Sequence, residues 1–141
     1  MELSIYKEFS DAPGLRYCIL SEKSGEEFYH SFLNPRFSEA IDKNEKLVLI
    51  LDYTEGYAPS FLDESIGNLV YDFSLEVVEK NLIIVSEEEP FWLDRIKTFS
   101  KNWEKRRLNQ EPPKVTIEHS AWVRIIKGNK EVKVWEHPVV A

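Results

Sequence analysis

One cysteine among 141 residues leaves no intramolecular disulfide to build. That residue, Cys18, lies in the apolar run Tyr17-Cys18-Ile19-Leu20, which is the setting of a buried, inert thiol rather than a nucleophile. Glycine is scarce, at five residues, and none forms a phosphate-cradling loop. No apolar run approaches the ~20 residues of a membrane-spanning helix. Met1 to Lys7 has neither the basic stretch nor the apolar stretch of a secretory leader, so the expected compartment is cytoplasmic. Internal repeats and low-complexity segments are absent. His30, His119 and His137 are scattered without metal-ligand spacing. They form no specific nucleophilic arrangement with Ser60. The expectation is therefore a non-enzymatic protein with no catalytic residues, no metal and no cofactor.

The net charge is −7 and unevenly spread. Residues 1–90 hold 7 Lys/Arg against 19 Asp/Glu, whereas residues 91–141 hold 11 against 6. An acidic chain does not suit a phosphate backbone, so nucleic acid is excluded as a partner. The asymmetry fits a basic protein partner or self-association through opposite ends; otherwise both charge sets are solvated faces.

The most informative stretch runs from Leu47 to Phe73. Leu47-Val48-Leu49-Ile50-Leu51 is an unbroken apolar run closed by Asp52, as in a strand buried on both faces. Tyr53 to Pro59 carries Gly56 and Pro59 and has no periodicity, so it reads as a loop. From Ser60 the spacing of Phe61, Leu62, Ile66, Leu69, Val70 and Phe73 is helical. Ser60 is read as the N-cap, with Asp63 three residues on. This is one βα unit whose loop lies at the carboxyl end of its strand, the usual binding edge of an open α/β sheet. Asp52, Tyr53, Glu55, Gly56, Tyr57 and Ser60 are the candidate partner- or ligand-binding residues there. Tyrosine suits such an edge because one end is apolar and the other wet; the alternative is that Tyr57 packs onto the following helix. Asp52, Glu55, Asp63 and Glu64 could hold a hard cation, but helix-dipole compensation already explains Asp63 and Glu64.

The remaining elements follow in order. Strands are expected near 2–8 and 15–20, joined by the Asp11-Ala12-Pro13-Gly14 turn as an antiparallel pair. A helix over 24–43 starts with Ser24-Gly25-Glu26-Glu27 as a capping box and should kink or break at Pro35. Strand 81–86 and a helix over 90–107 come next, the latter with a Trp92, Ile96, Phe99, Trp103 stripe and a basic last turn. Val115 to Ile117, Ala121 to Ile126 and Val132 to Trp135 read as strands, with a hairpin turn at Lys127-Gly128-Asn129-Lys130. The fold class is α/β, a mixed β-sheet with helices packed on it. The organisation is a domain over 1–108 and a C-terminal β-hairpin extension over 109–141, packed on the domain or on a partner.

Leu49 to Asp52, Thr54 to Tyr57, Ser60 to Glu64, Gly67 and Leu69-Val70 together resemble the STAS-like family, a set of small bacterial domains of unassigned function. Ser24 to Phe28 and Ile84 to Glu88 match the same pattern, so the resemblance covers about residues 5–100. It implies a STAS-type sheet and a regulatory, protein-binding role. The partner it suggests is a histidine-kinase-like ATPase, as in anti-sigma-factor systems. In those antagonists a phosphorylated serine opens the helix after this loop. Here Ser60 falls on the second serine of that motif and Pro59 on the usual acceptor, so phosphoregulation is not expected. Two other readings stand beside this one. The first is a small-molecule or nucleotide-binding domain using the same edge. The second is an inhibitor or structural subunit, or a homodimer, acting through the C-terminal extension.

Overall fold

In a computed structural model describing residues 1–136, the strand read as central is central. Strand β2 (Leu47–Ile50) lies between β1 (Glu2–Ser4) and β3 (Leu82–Val85), all parallel, with Leu3, Leu49 and Ile84 in register. Leu47 and Leu49 are fully buried, whereas Val48 and Ile50 on the other face are half-buried. The expected burial on both faces is therefore incomplete.

The α/β class holds, but the sheet is parallel rather than mixed. Strand β1 stops at Ser4, whose hydroxyl accepts from the Lys7 N–H (3.2 Å) and caps the short helix α1 (Ile5–Glu8). Residues 15–20 form no strand. The Leu15 and Arg16 carbonyls accept from the Gly25 and Glu26 N–H groups at 2.9 and 3.0 Å, at the start of helix α2 (Gly25–Phe28). These are N–H groups that a helix leaves unpaired at its start, so the segment works as a helix-end strap. Ile19 and Leu20 stay about 60% exposed, and their strand-like pattern has no neighbouring strand to meet.

Ser24 caps α2 as expected, accepting from the Glu27 N–H at 3.1 Å. Helix continues through one π turn (Tyr29–Leu33) into α3 (Asn34–Asp42). The Asn34 N–H donates to Tyr29, five residues back. The irregularity expected at Pro35 thus takes the form of a widened turn just before it, which accommodates a ring that would crowd the preceding turn.

Helix α4 (Pro59–Phe73) is buried almost all round. Ala58 takes the cap position with extended φ/ψ and Pro59 stands at the first helical position, so Ser60 is not the N-cap. Proline's fixed φ suits that position, and its missing N–H would be unpaired there anyway. A Cβ on Gly67 would lie 2.1 Å from the Trp103 ring, so glycine is what lets helix α6 (Phe91–Leu108) close onto α4. Helix α5 (Leu75–Asn81) leads into β3 from Ser74, which caps it at φ 78°. Among the described residues, no helix is long and apolar enough to cross a membrane.

The tail carries an antiparallel hairpin, β4 (Trp122–Ile126) with β5 (Asn129–Lys133), turning at Lys127 and Gly128, both with positive φ. Residues 115–117 are not a strand; the Thr116 and Ile117 N–H groups donate to the Glu26 carboxylate (3.0 and 3.4 Å). The hairpin docks on its own chain. The Asn34 side-chain amide exchanges two hydrogen bonds with the Val123 backbone (2.9 and 3.0 Å). Arg124 Nε donates to Asp72 Oδ1 of α4 at 2.5 Å, and the Tyr29 hydroxyl donates to the other Asp72 oxygen. Burial pushes the Asp72 carboxyl up to about 6, against the pull of Arg124, so at neutral pH it is the anion in a pair that is nearly out of water. The expected effect of Asp72→Asn is a loss of about 3–5 kcal/mol in urea unfolding, because a largely buried guanidinium loses its counter-charge. Adding Arg124→Met should recover part of that loss.

Candidate functional site

The carboxyl end of the sheet divides the six residues read as a binding edge into two sets. Asp52 is buried and accepts from the Glu88 N–H at 2.9 Å, while Glu88 Oε1 accepts from the Tyr53 N–H at 2.5 Å. These reciprocal bonds tie the loop after β2 to the loop after β3. Tyr57 also turns inward. Its hydroxyl donates to the Leu51 carbonyl (2.5 Å) and its ring packs on Phe61 and Trp92, and burial raises its pKa. Asp52 and Tyr57 therefore build the edge.

The other set faces solvent. Tyr53 is 63% exposed and Tyr6 44%, and their rings meet edge-on at 6.2 Å. Tyr53 adopts φ +79°, a left-handed conformation that costs a non-glycine residue roughly 1–2 kcal/mol. Glu55 is exposed, Gly56 takes φ +121°, and Ser60 is half-buried. Glu87 and Glu88 are exposed beside them. The edge thus presents an aromatic pair together with exposed carboxylates from the two loops. Tyr6 escapes the sequence reading because it was placed inside a strand; the helix that begins at Ile5 brings it to this edge. An apolar cavity of about 390 Å³ between α5, β3 and α6 is lined in part by Leu75, Val78, Leu82, Leu93 and Ile96, and by none of residues 52–60.

A second cluster is invisible in the spacing of the chain. Glu26 of α2 is 1% exposed. One of its oxygens accepts from the Cys18 N–H (3.2 Å) and the Thr116 hydroxyl (2.5 Å), and the other accepts from Thr116 N–H and contacts His119 Nε2 at 2.7 Å. His119 stacks on His30 with ring centroids 4.1 Å apart, and Trp122 meets His30 edge-on at 4.5 Å. Burial would raise the Glu26 carboxyl, but the bonds from His119, Thr116 and Cys18 outweigh it and hold it at about 2. Burial and the neighbouring His119 ring lower His30 to about 3. Burial, with Glu26 and Glu27 nearby, pushes the Cys18 thiol up to about 11. At neutral pH Cys18 is thus a protonated thiol, as its apolar run suggested, although it lies half-buried in the strap and not in a strand. His137 lies outside the described residues.

Glu26 is consequently a latch joining the 10–23 strap, α2 and the tail. Its folded pKa is below its ordinary 4.5, so its stabilisation is present above about pH 4.5 and is lost as the pH falls toward 2. His30 acts in the same direction from 6.5 down to about 3, because the unfolded chain takes up a proton that the folded one refuses. The difference in unfolding free energy between wild type and Glu26→Gln should be full at pH 7 and shrink below about pH 4.5. A pH-independent difference in urea midpoints would show that the latch is not ionic.

Residues 24–92 match the model of a family described as a STAS-like domain of unknown function (DUF4325). No curated protein and no solved structure gives a match. The matched span starts at the Ser24 cap and ends on Trp92, narrower than the 5–100 over which the resemblance was read. It contains β2, the loop at its carboxyl end, α4 and β3. Residues 24–92, just under half of this chain, are thus similar to a STAS-like domain of unknown function, and they lie between an N-terminal strand with its strap and a C-terminal tail.

Proposed function

We propose that this chain is a non-enzymatic interaction module that binds a protein partner at the carboxyl edge of its sheet. The observation that carries the reading is Tyr53, an exposed aromatic side chain in a strained backbone conformation whose N–H is held by the Glu88 carboxylate of the neighbouring loop. Strain of this kind persists only where surrounding structure over-determines it, and it collects at functional sites. Tyrosine contributes disproportionately to interface energies. The carboxylates of Glu55, Glu87 and Glu88 around it favour a partner with basic groups bordering an apolar pocket. A histidine-kinase-like ATPase is the partner that the STAS resemblance suggests.

An ATPase encoded beside this chain is the binding target to test by calorimetry. Tyr53→Gly should weaken binding by ~30-fold, a loss of about 2 kcal/mol. The same change releases the left-handed strain, which offsets glycine's extra chain entropy of about 0.5–1 kcal/mol, so stability should stay within about 1 kcal/mol of wild type. Unchanged affinity of a folded Tyr53→Gly protein would remove the edge as the contact surface.

Ser60 stands second in α4 with Pro59 at the usual acceptor position. Incubation with that ATPase and ATP should leave Ser60 unmodified by mass spectrometry. Stoichiometric phosphate on Ser60 would make this a phospho-switch instead.

A further inference from the structure

The cluster behind the tail has a property that its role as a latch does not use. Cys18 Sγ, a Glu26 carboxylate oxygen and a His119 ring nitrogen all lie within 4.8 Å of one another. They come from three separate segments: the strap, the first turn of α2 and the tail. Thiolate, imidazole and carboxylate form a ligand set of borderline softness, the kind that zinc takes in protein sites. Around Cys18 Sγ stand Ser24 Oγ at 3.3 Å and Glu27 Oε2 at 3.9 Å, so a dication would meet two carboxylates.

A second, independent observation points to a missing ligand. His30 is 93% buried, stacked on His119, and both of its ring nitrogens lack a hydrogen-bond partner among the described residues. Buried polar groups are seldom left unpaired, and an imidazole with neither nitrogen satisfied marks the place of an unseen water or ion. The Glu26 carboxylate is crowded but not closed to a metal. Coordination at the oxygen facing His119 would replace the hydrogen bond to that ring and share the oxygen with the Thr116 and Ile117 N–H groups (3.0 and 3.4 Å), while the other oxygen would keep its bonds to the Cys18 N–H and the Thr116 hydroxyl.

We propose that Cys18, Glu26 and His119 bind one Zn²⁺ per chain, with a water in the fourth position hydrogen-bonded to His30. Binding releases the thiol proton of Cys18 to solvent and places the His119 N–H proton on its other ring nitrogen. The ion joins residue 18, residue 26 and residue 119 at one point, so it fastens the tail to the domain. This site is on different residues from the Tyr53 edge, and its failure would leave the partner-binding reading untouched.

The test uses the full-length chain with Cys18 kept reduced. Zn²⁺ binding is measured by equilibrium dialysis, and Co²⁺ is titrated as a spectroscopic substitute. The expected result is one ion per chain and a thiolate-to-cobalt charge-transfer band, with slower proteolysis of residues 109–136 when the ion is bound. Cys18→Ser should abolish the band. His30→Phe, which removes only the partner of the water, should weaken Zn²⁺ binding by about 10–100-fold, and His119→Gln by more. Circular dichroism establishes that each variant is folded; should one not fold, cadmium titration of the wild type reads the thiolate directly. Absence of a thiolate band in the folded wild type would overturn the site. Zn²⁺ retained equally by Cys18→Ser and His119→Gln would also overturn it, by placing the ion on other residues.

Discussion

A helix buried on nearly every side, in a fold whose main sheet has only three strands, is the constraint on which this structure rests. Helix α4 presents Phe61, Leu62, Ile66, Leu69, Val70 and Phe73 to the core, and no three-stranded sheet can cover it. Other segments must be brought against it, and α4 holds them with carboxylates. Asp63 accepts from Arg16 of the strap (2.6 Å) and from the Trp103 indole of α6 (3.0 Å). Glu64 accepts from Arg16 and from Asn68 one turn on. Asp72 takes Tyr29 and Arg124. No acidic residue lies in the first turn of α4, and these carboxylates instead anchor the layers packed around it. Their burial is tolerable because each is paired and hydrogen-bonded.

The same economy explains the carboxyl edge. A strand end must discharge its chain into a loop, and the Asp52–Glu88–Tyr53 bonds fix that loop rigidly to its neighbour. Rigidity pre-organises the surface, so little side-chain or loop freedom remains to be lost on binding. It also forces Tyr53 outward. Tyr57, four residues on, does the opposite and closes the loop against α4 and α6. Two tyrosines of one short loop thus have opposite fates, decided by which of them finds a backbone carbonyl within reach.

The tail completes the covering. Its hairpin would be marginal alone, and it is fastened at two places, by Asn34 with Asp72 at β4 and by Glu26 at residues 116–119. Both fastenings are polar, directional and formed between groups about 50 to 90 residues apart. They specify where the tail lies, while Trp122 supplies the apolar contact beneath. The acidic body and the basic last third of the chain meet in part within one molecule, at Asp72 with Arg124 and at Asp42 with Lys130 (2.6 Å).

Local pattern alone determined the elements whose neighbours in sequence are also their neighbours in space. The apolar run at 47–51, the helical spacing from Phe61 to Phe73, the Ser24 capping box and the turn at Lys127-Gly128 all depend on contacts within a few residues, so periodicity and cap chemistry reveal them. Residues 15–20 and 115–117 carry strand-like sequences too, yet their backbone groups pair with a helix end and with a buried glutamate. Strand pattern specifies a surface to be covered and not the partner that covers it. Ser60 lost the cap position to Ala58, two residues upstream, because Pro59 between them is already locked in helical φ and opens the helix. Tyr6, His30, His119 and Cys18 acquired their positions only when distant segments closed over α4. The loop residues at the carboxyl edge were legible as a group, because a βα unit always delivers its loop there. Which of them point outward was decided by hydrogen bonds to Glu88 and Leu51, and the bond to Glu88 exists only after β3 has docked beside β2.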